Sequence, residues 1–333
     1  DNVTDLSKVV GESANSYLVG HSGKYKFPTV KGNSDESVGE IATVEVLWES
    51  YRGSSRNIID KVEYSANYIT FNTGYFQDGN AVIAAKNVSG TILWSWHIWF
   101  SSNGFKEIKY NNNAGIMMDR NLGATSSQPG VSKSLGLLYQ WGRKDPFLSG
   151  ANRDDDTPAK CTLDSYKWSY NSSCQSMEYA IRNPYYYICG SNDDWCSDPD
   201  EVRWSKDKTI YDPCPPGWRV PDGGENGLWA KADMVYAESI GNEYRYKMDS
   251  DNKGITLLET ICFPETWYPT AGYKSPYDSK LGSVGISGGC WSCTESEFNI
   301  NNACYLDYNY SGYVNPTNAV SKSTGLYEKK KKD

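Results

Sequence analysis

The stretch GGCWSC, Gly288–Cys293, admits two readings, and the fold turns on which one holds. Cys-x-x-Cys is the spacing of a redox pair at a helix N-terminus, where the helix lowers the thiol pKa, and of half a zinc clip. The same letters also describe an extended strand of small and aromatic residues. In a strand, residues i and i+3 point to opposite faces, so Cys290 and Cys293 could not act together. Zinc would want a second Cys-x-x-Cys or added histidines, and nothing beside this stretch suggests a helix start. The strand is therefore the expected reading. Immediately upstream, GISGG (Gly285–Gly289) spells the Gly-x-Ser-x-Gly nucleophile elbow around Ser287. That hydrolase order needs a histidine after the serine, whereas the two histidines, His21 and His97, both precede it. A glycine-rich loop feeding a strand is expected instead.

Working outward, the 333 residues suffice for two domains with separate cores. Only 38% of the chain is apolar, but aromatics reach 14%, with 26 Tyr and 12 Trp. Large rings thus replace missing aliphatic surface, a composition that suits β-rich extracellular proteins. The net charge of −8 argues against a nucleic-acid surface, which needs clustered Lys and Arg. No run approaches the ~20 apolar residues of a membrane span, and no apolar segment follows Asp1, so the chain reads as a mature or trimmed product.

From Ser16 to about Phe100 apolar and polar residues alternate at period two between turn signals. IATVEVLW puts Ala42, Val44, Val46 and Trp48 on one face. VIAAK, NVSG and TILWSWHIWF read as a hairpin, with Trp94, Trp96, Ile98 and Phe100 on one side and Leu93, Ser95, His97 and Trp99 on the other. His97 is expected to be structural. The polar stretch SSNGFKEIKYNNNAG is the natural joint. Beyond it, helices are expected around Leu135–Lys144 and Glu225–Ile240, and a hairpin over YRYKM, DSDNKG and ITLLETICF. DSDNKGITLLET begins like a calcium loop, but Lys253 and Thr260 occupy ligand places, so it reads as a turn. The acidic runs Arg153–Asp156 and Asn192–Trp195 and the closing EKKKKD read as solvated charge. No metal ligand set and no cofactor is expected.

All nine cysteines lie beyond residue 160, an asymmetry that marks a domain boundary. In such a chain some disulfides are expected, with Cys161, Cys174, Cys189 and Cys196 as candidates and at least one thiol left over. A Cys189–Cys196 bridge would stiffen GSNDDW into a loop presenting Asp193, Asp194 and Trp195 beside Tyr186. Rings next to carboxylates are the chemistry of sugar recognition, so these four residues form the candidate ligand site. The competing reading is that the rings cover core beneath a long loop.

Four phrases in order, MMDRNLGA (Met117–Ala124), GLLYQWGRKDPF (Gly136–Phe147), YDPCPPGWRVP (Tyr211–Pro221) and CWSCTESEFNINNACYLDYN (Cys290–Asn309), resemble the major paralogous domain family first described in Fibrobacter, as it occurs in surface proteins of Bacteroidales. The similarity covers about residues 110–327. ANSYLV, YKFPTVKGN, GNAVIAAK and ILWSWHIW resemble the β domain preceding it in fimbrillin-like proteins. The resemblance implies a mixed fold: an N-terminal all-β, sandwich-like domain over 1–103, then an α+β, C-type-lectin-like domain with long loops over 104–333. It implies a non-catalytic, exported cell-surface adhesin or pilus-tip subunit, with pilus or surface-assembly subunits as partners and a glycan or host protein as ligand. The alternatives are a copper/thiol oxidase like the formylglycine-generating enzyme, with Cys290 and Cys293 as its pair, or a purely structural pilin. Relatives commonly end in a strand whose cysteine can pair with the one in the PCPPGW motif. This chain runs TGLYEKKKKD there, so Cys214 is either the unpaired thiol or has a different partner.

Overall fold

The computed structural model describes residues 2–9, 11–50, 57–190, 194–237 and 243–332. The fold is mixed and β-rich. In the first hundred residues two four-stranded sheets enclose one apolar cluster. One sheet supplies Tyr25, Phe27, Ile69 and Phe71, and the other supplies Tyr17, Ala81, Ile83 and the row Trp94, Trp96, Ile98 and Phe100. The hairpin of Gly79–Lys86 with Ile92–Phe100 is present, and period-two alternation sends those four residues inward as expected. One face assignment is corrected. Thr43–Glu49 changes register between Val46 and Trp48, so Val44 and Val46 pack on this cluster while Trp48 turns to another. A bulge inserts one residue and reverses every side chain after it.

His97 is structural and fully enclosed. Its Nδ1 lies 2.9 Å from Ser16 Oγ and its Nε2 2.9 Å from Asn80 Oδ1. Since the amide oxygen can only accept, Nε2 carries the proton and Nδ1 accepts from the serine. Burial, aided by the charge of Lys330, pushes the imidazole pKa down from 6.5 to about 3. An unfolded chain takes up a proton below about 6.5 that the folded chain refuses until about 3. This contribution to stability is complete above that window and declines within it as pH falls, by about 1.4 kcal/mol per pH unit. Urea unfolding across the window should show His97→Gln losing less stability with acid than the parent; equal slopes would refute the assignment.

The later residues form a seven-stranded, a five-stranded, a three-stranded and a two-stranded sheet. GGCWSC lies inside Ser287–Glu295, an interior strand of the largest sheet, as expected. The expected hairpin joins Tyr246–Asp249 to Gly254–Leu257, and Asp249 accepts from the backbone and side-chain nitrogens of Asn252 across its turn. The polar joint is itself a hairpin of Glu107–Tyr110 with Gly115–Asn121, turned at Asn112 and Asn113, both at positive φ. The halves share a core. Trp48, Val82 and Trp99 sit in one cluster with Leu122, Trp141, Trp218 and Trp291. Trp99 Nε1 donates to Ala124 O, Asn80 Nδ2 to Gly123 O, and Lys144 Nζ to Ser95 O.

Both expected helices are corrected. Over 135–144 the chain forms the short strand Leu138–Gln140, buried on both faces and paired with Gly325–Tyr327. Gly136 and Gly142, at φ of +84° and +79°, cut it off at each end. Over 225–240 only Leu228–Lys231 is helical, because Asp233 turns left-handed at φ +74°; positions 238–240 lie outside the described residues. The α-helix that sequence reading missed, Met177–Arg182, is capped by Ser176 Oγ, which accepts from Tyr179 N. Arg143 donates to Ala180 O and Asn183 O at its far end.

The closing lysines are also corrected. Lys329–Lys332 is a strand between Gly115–Asn121 and Trp218–Arg219, and Glu328, Lys329 and Lys330 are buried. Backbone pairing holds them there: Leu122 N donates to Glu328 O, and Lys331 and Lys332 reach out to Asp222 and Glu107 at 2.7 Å each.

Candidate ligand-binding groove

All nine cysteines are free thiols, a correction to the expected bridges among Cys161, Cys174, Cys189 and Cys196. Cys189 and Cys196 belong to separate apolar clusters. Cys161 Sγ accepts from Trp168 Nε1. Cys290 and Cys293 point to opposite faces, as the strand reading requires. Cys290 packs with Leu306 and Tyr308, and Cys293 with Trp141, beside Asp222. Burial pushes each thiol up to about 12. They make neither a metal pair nor a reactive dithiol.

The predicted ligand loop is corrected as well. Trp195 is fully buried, its Nε1 donating to Trp141 O at 2.8 Å. Asp194 grips Arg203 through two bonds of 2.8 and 2.7 Å, and that guanidinium lies over the rings of Trp141 and Trp195. Tyr186 is half-buried with its ring edge-on to Tyr185, and Asp193 lies outside the described residues. Asp194 and Trp195 are both buried and both carboxylate oxygens are taken by the guanidinium, so the two residues form an internal clamp and display nothing. The second acidic run is thus not solvated at Asp194.

A different place gathers rings and polar groups. The strand Ser287–Glu295 pairs antiparallel with Asn302–Asn309, placing Gly289 opposite Asp307 and Trp291 opposite Tyr305; Gly325–Tyr327 lies along its other edge. Period two then divides the sheet. Cys290, Leu306 and Tyr308 face the core, while Gly289, Tyr305, Asp307 and Asn309 face outward. The paired glycines have distinct uses. A Cβ on Gly288 would fall 2.4 Å from the Tyr308 ring, and one on Gly289 would close to 3.0 Å of Tyr305 and 3.1 Å of Leu326. Gly288 therefore lets a core tyrosine lie against the strand, and Gly289 leaves the outer floor open.

Above that floor is a cavity of about 540 Å³. Tyr273 and the exposed Tyr277 line it from a turn tied to the strand by the Gly272 N to Ser287 O bond of 2.8 Å; Tyr305 and Tyr313 also line it. Asn309 Oδ1 organises the 309–313 turn by accepting from the backbone nitrogens of Ser311 and Tyr313. Asp307 receives Asn318 Nδ2 at 2.8 Å, and the same amide reaches Tyr305 OH at 3.3 Å. Burial raises the Asp307 carboxyl above its ordinary value against the bonds that oppose it. Thr324, also among the lining residues, has an Oγ1 that is itself buried and without a hydrogen-bond partner. Asp307 is the one carboxylate among the described lining residues.

Sequence reading passed over this site. Tyr305, Asp307 and Asn309 do alternate with Cys304, Leu306 and Tyr308, which is a legible signal, but only the pairing register sets them against Gly289. Comparison with family models, with curated proteins and with solved structures returned no match.

Proposed function

We propose that this chain is a ligand-binding, non-catalytic module whose groove over Gly289 receives a glycan. More particularly, it is an exported cell-surface adhesin or pilus-tip subunit: the N-terminal half attaches to pilus or surface-assembly subunits, and a lectin-like second half presents the groove. Two sheets around one cluster support the sandwich-like reading of the first half. A large sheet carrying long loops and short helices supports the lectin-like reading of the second. The observation that carries the function is the lining itself. Tyrosine rings offer apolar faces to a pyranose, while the Asp307 carboxylate and the Asn309 amide line the same groove as polar partners for its hydroxyls.

The test is a panel of neutral, acidic and basic soluble oligosaccharides read by ligand-observed NMR. Binding should appear, and Tyr277→Ala, which alters an exposed side chain, should weaken it by roughly threefold to tenfold, the worth of one ring contact. Binding that ignores both Tyr277→Ala and Tyr273→Ala would place the ligand elsewhere and defeat the proposal.

A further inference from the structure

The groove's charge is one-sided. Asp307 has no ion-pair partner among the described residues, and its hydrogen bonds come from the neutral Asn318 and Tyr305. Among the described residues no lysine, arginine or histidine lines the cavity. The nearby cations are engaged elsewhere: Lys322 with Glu295 at 2.9 Å, Lys280 with Asp278 at 3.6 Å, Lys253 over the Tyr310 ring and Lys274 over the Tyr187 ring. A half-buried carboxylate left without a cation is costly, because burial strips its water and nothing opposite in charge replaces it. Aromatic rings add negative potential at their faces, and Tyr273, Tyr277, Tyr305 and Tyr313 line the same space. Carboxylate and rings together repel an acidic sugar and favour a cationic group. The Asn309 amide provides for further polar substituents, which a pyranose has on every side and a lysine side chain lacks.

We infer that the ligand of this groove is an amino sugar with a free ammonium group, seated so that the ammonium meets Asp307 while the ring packs among Tyr273, Tyr277 and Tyr305. This rests on the glycan reading proposed above. N-acetylation removes the charge, so the acetamido form of the same sugar is rejected relative to the amine. Acidic sugars are excluded.

Methyl glycosides of glucose and galactose, each in 2-hydroxy, 2-amino and 2-acetamido forms, isolate this feature because only the substituent at one carbon changes. Titration of the full chain by protein-observed NMR should show one 2-amino glycoside binding about tenfold or more tightly than its 2-hydroxy partner, as expected for a charge-assisted contact. Asp307→Asn should bring the two within about twofold of each other. Equal affinities across the three forms, or preference for the acetamido form, would overturn the ammonium inference and leave the glycan reading standing. Absence of binding by all six would overturn both. An oligolysine peptide that binds through Asp307 while no glycoside does would replace the sugar with a basic protein segment and overturn the inference too.

Discussion

Replacing Asp194 with alanine should cost about 3–5 kcal/mol of stability, the penalty of leaving a buried cation without its anion. Arg203 is fully buried, its two terminal nitrogens bond the two Asp194 oxygens, and its Nε has no partner at all. Lys322, also fully buried, lies 3.9 Å from the same carboxylate and holds Glu295 at 2.9 Å. Burial pushes its pKa down, so it too depends on nearby anions. The variant would strand a guanidinium between Trp141 and Trp195, where water has no access. Guanidinium unfolding curves measure the loss directly. A companion carrying Asp194→Leu and Arg203→Met removes both charges and should recover most of it, since apolar replacement of an entire buried pair is often neutral or stabilising. A loss below about 1 kcal/mol for Asp194→Ala would mean that the clamp is open to solvent.

The reverse result is expected at the C-terminal strand. Glu328→Val combined with Lys330→Val should stabilise the protein by about 1–4 kcal/mol, the range seen when buried charges give way to packed apolar residues. Both Glu328 oxygens and Lys330 Nζ are buried without hydrogen-bond partners. Around them lie a ring, a thiol and a carboxylate: Lys330 Nζ is 5.9 Å from the Tyr139 ring, and Cys214 and Asp212 are buried close by. Desolvation holds the Glu328 carboxyl well above the usual carboxylate range. Valine keeps the backbone pairing and suits a strand. Lys329, between them, is different. Its Nζ donates to Thr266 Oγ1 and Trp267 O at 3.1 Å each and lies 3.6 Å from the centre of the Tyr268 ring, although burial lowers its pKa to about 8. Lys329→Val should therefore destabilise. Thermal and denaturant midpoints for the two variants test the contrast, and a double variant no more stable than the parent would refute it.

The sequence by itself determined the features that depend on short-range alternation. Period two in TILWSWHIWF decided which rings face the first core, and the same rule put Cys290 and Cys293 on opposite faces. Turn chemistry at NVSG and DSDNKG located two hairpins. Local propensity misled wherever distant partners outbid it. SLGLLYQWGRK has apolar residues enough for a helix, yet pairing with Gly325–Tyr327 makes it a strand, and Met177–Arg182 becomes helical with Arg143 closing its end. Charge was the least legible property. A run of lysines reads as solvated because an isolated side chain is better in water, and only the vacancy between two distant strands, filled by backbone hydrogen bonds, takes Lys329 and Lys330 inside. Likewise Asp194 and Trp195 look like a display loop until Arg203 closes on them. The groove was settled by cross-strand register alone, because Gly289 and Asp307 are eighteen residues apart in the chain and neighbours only once their strands pair.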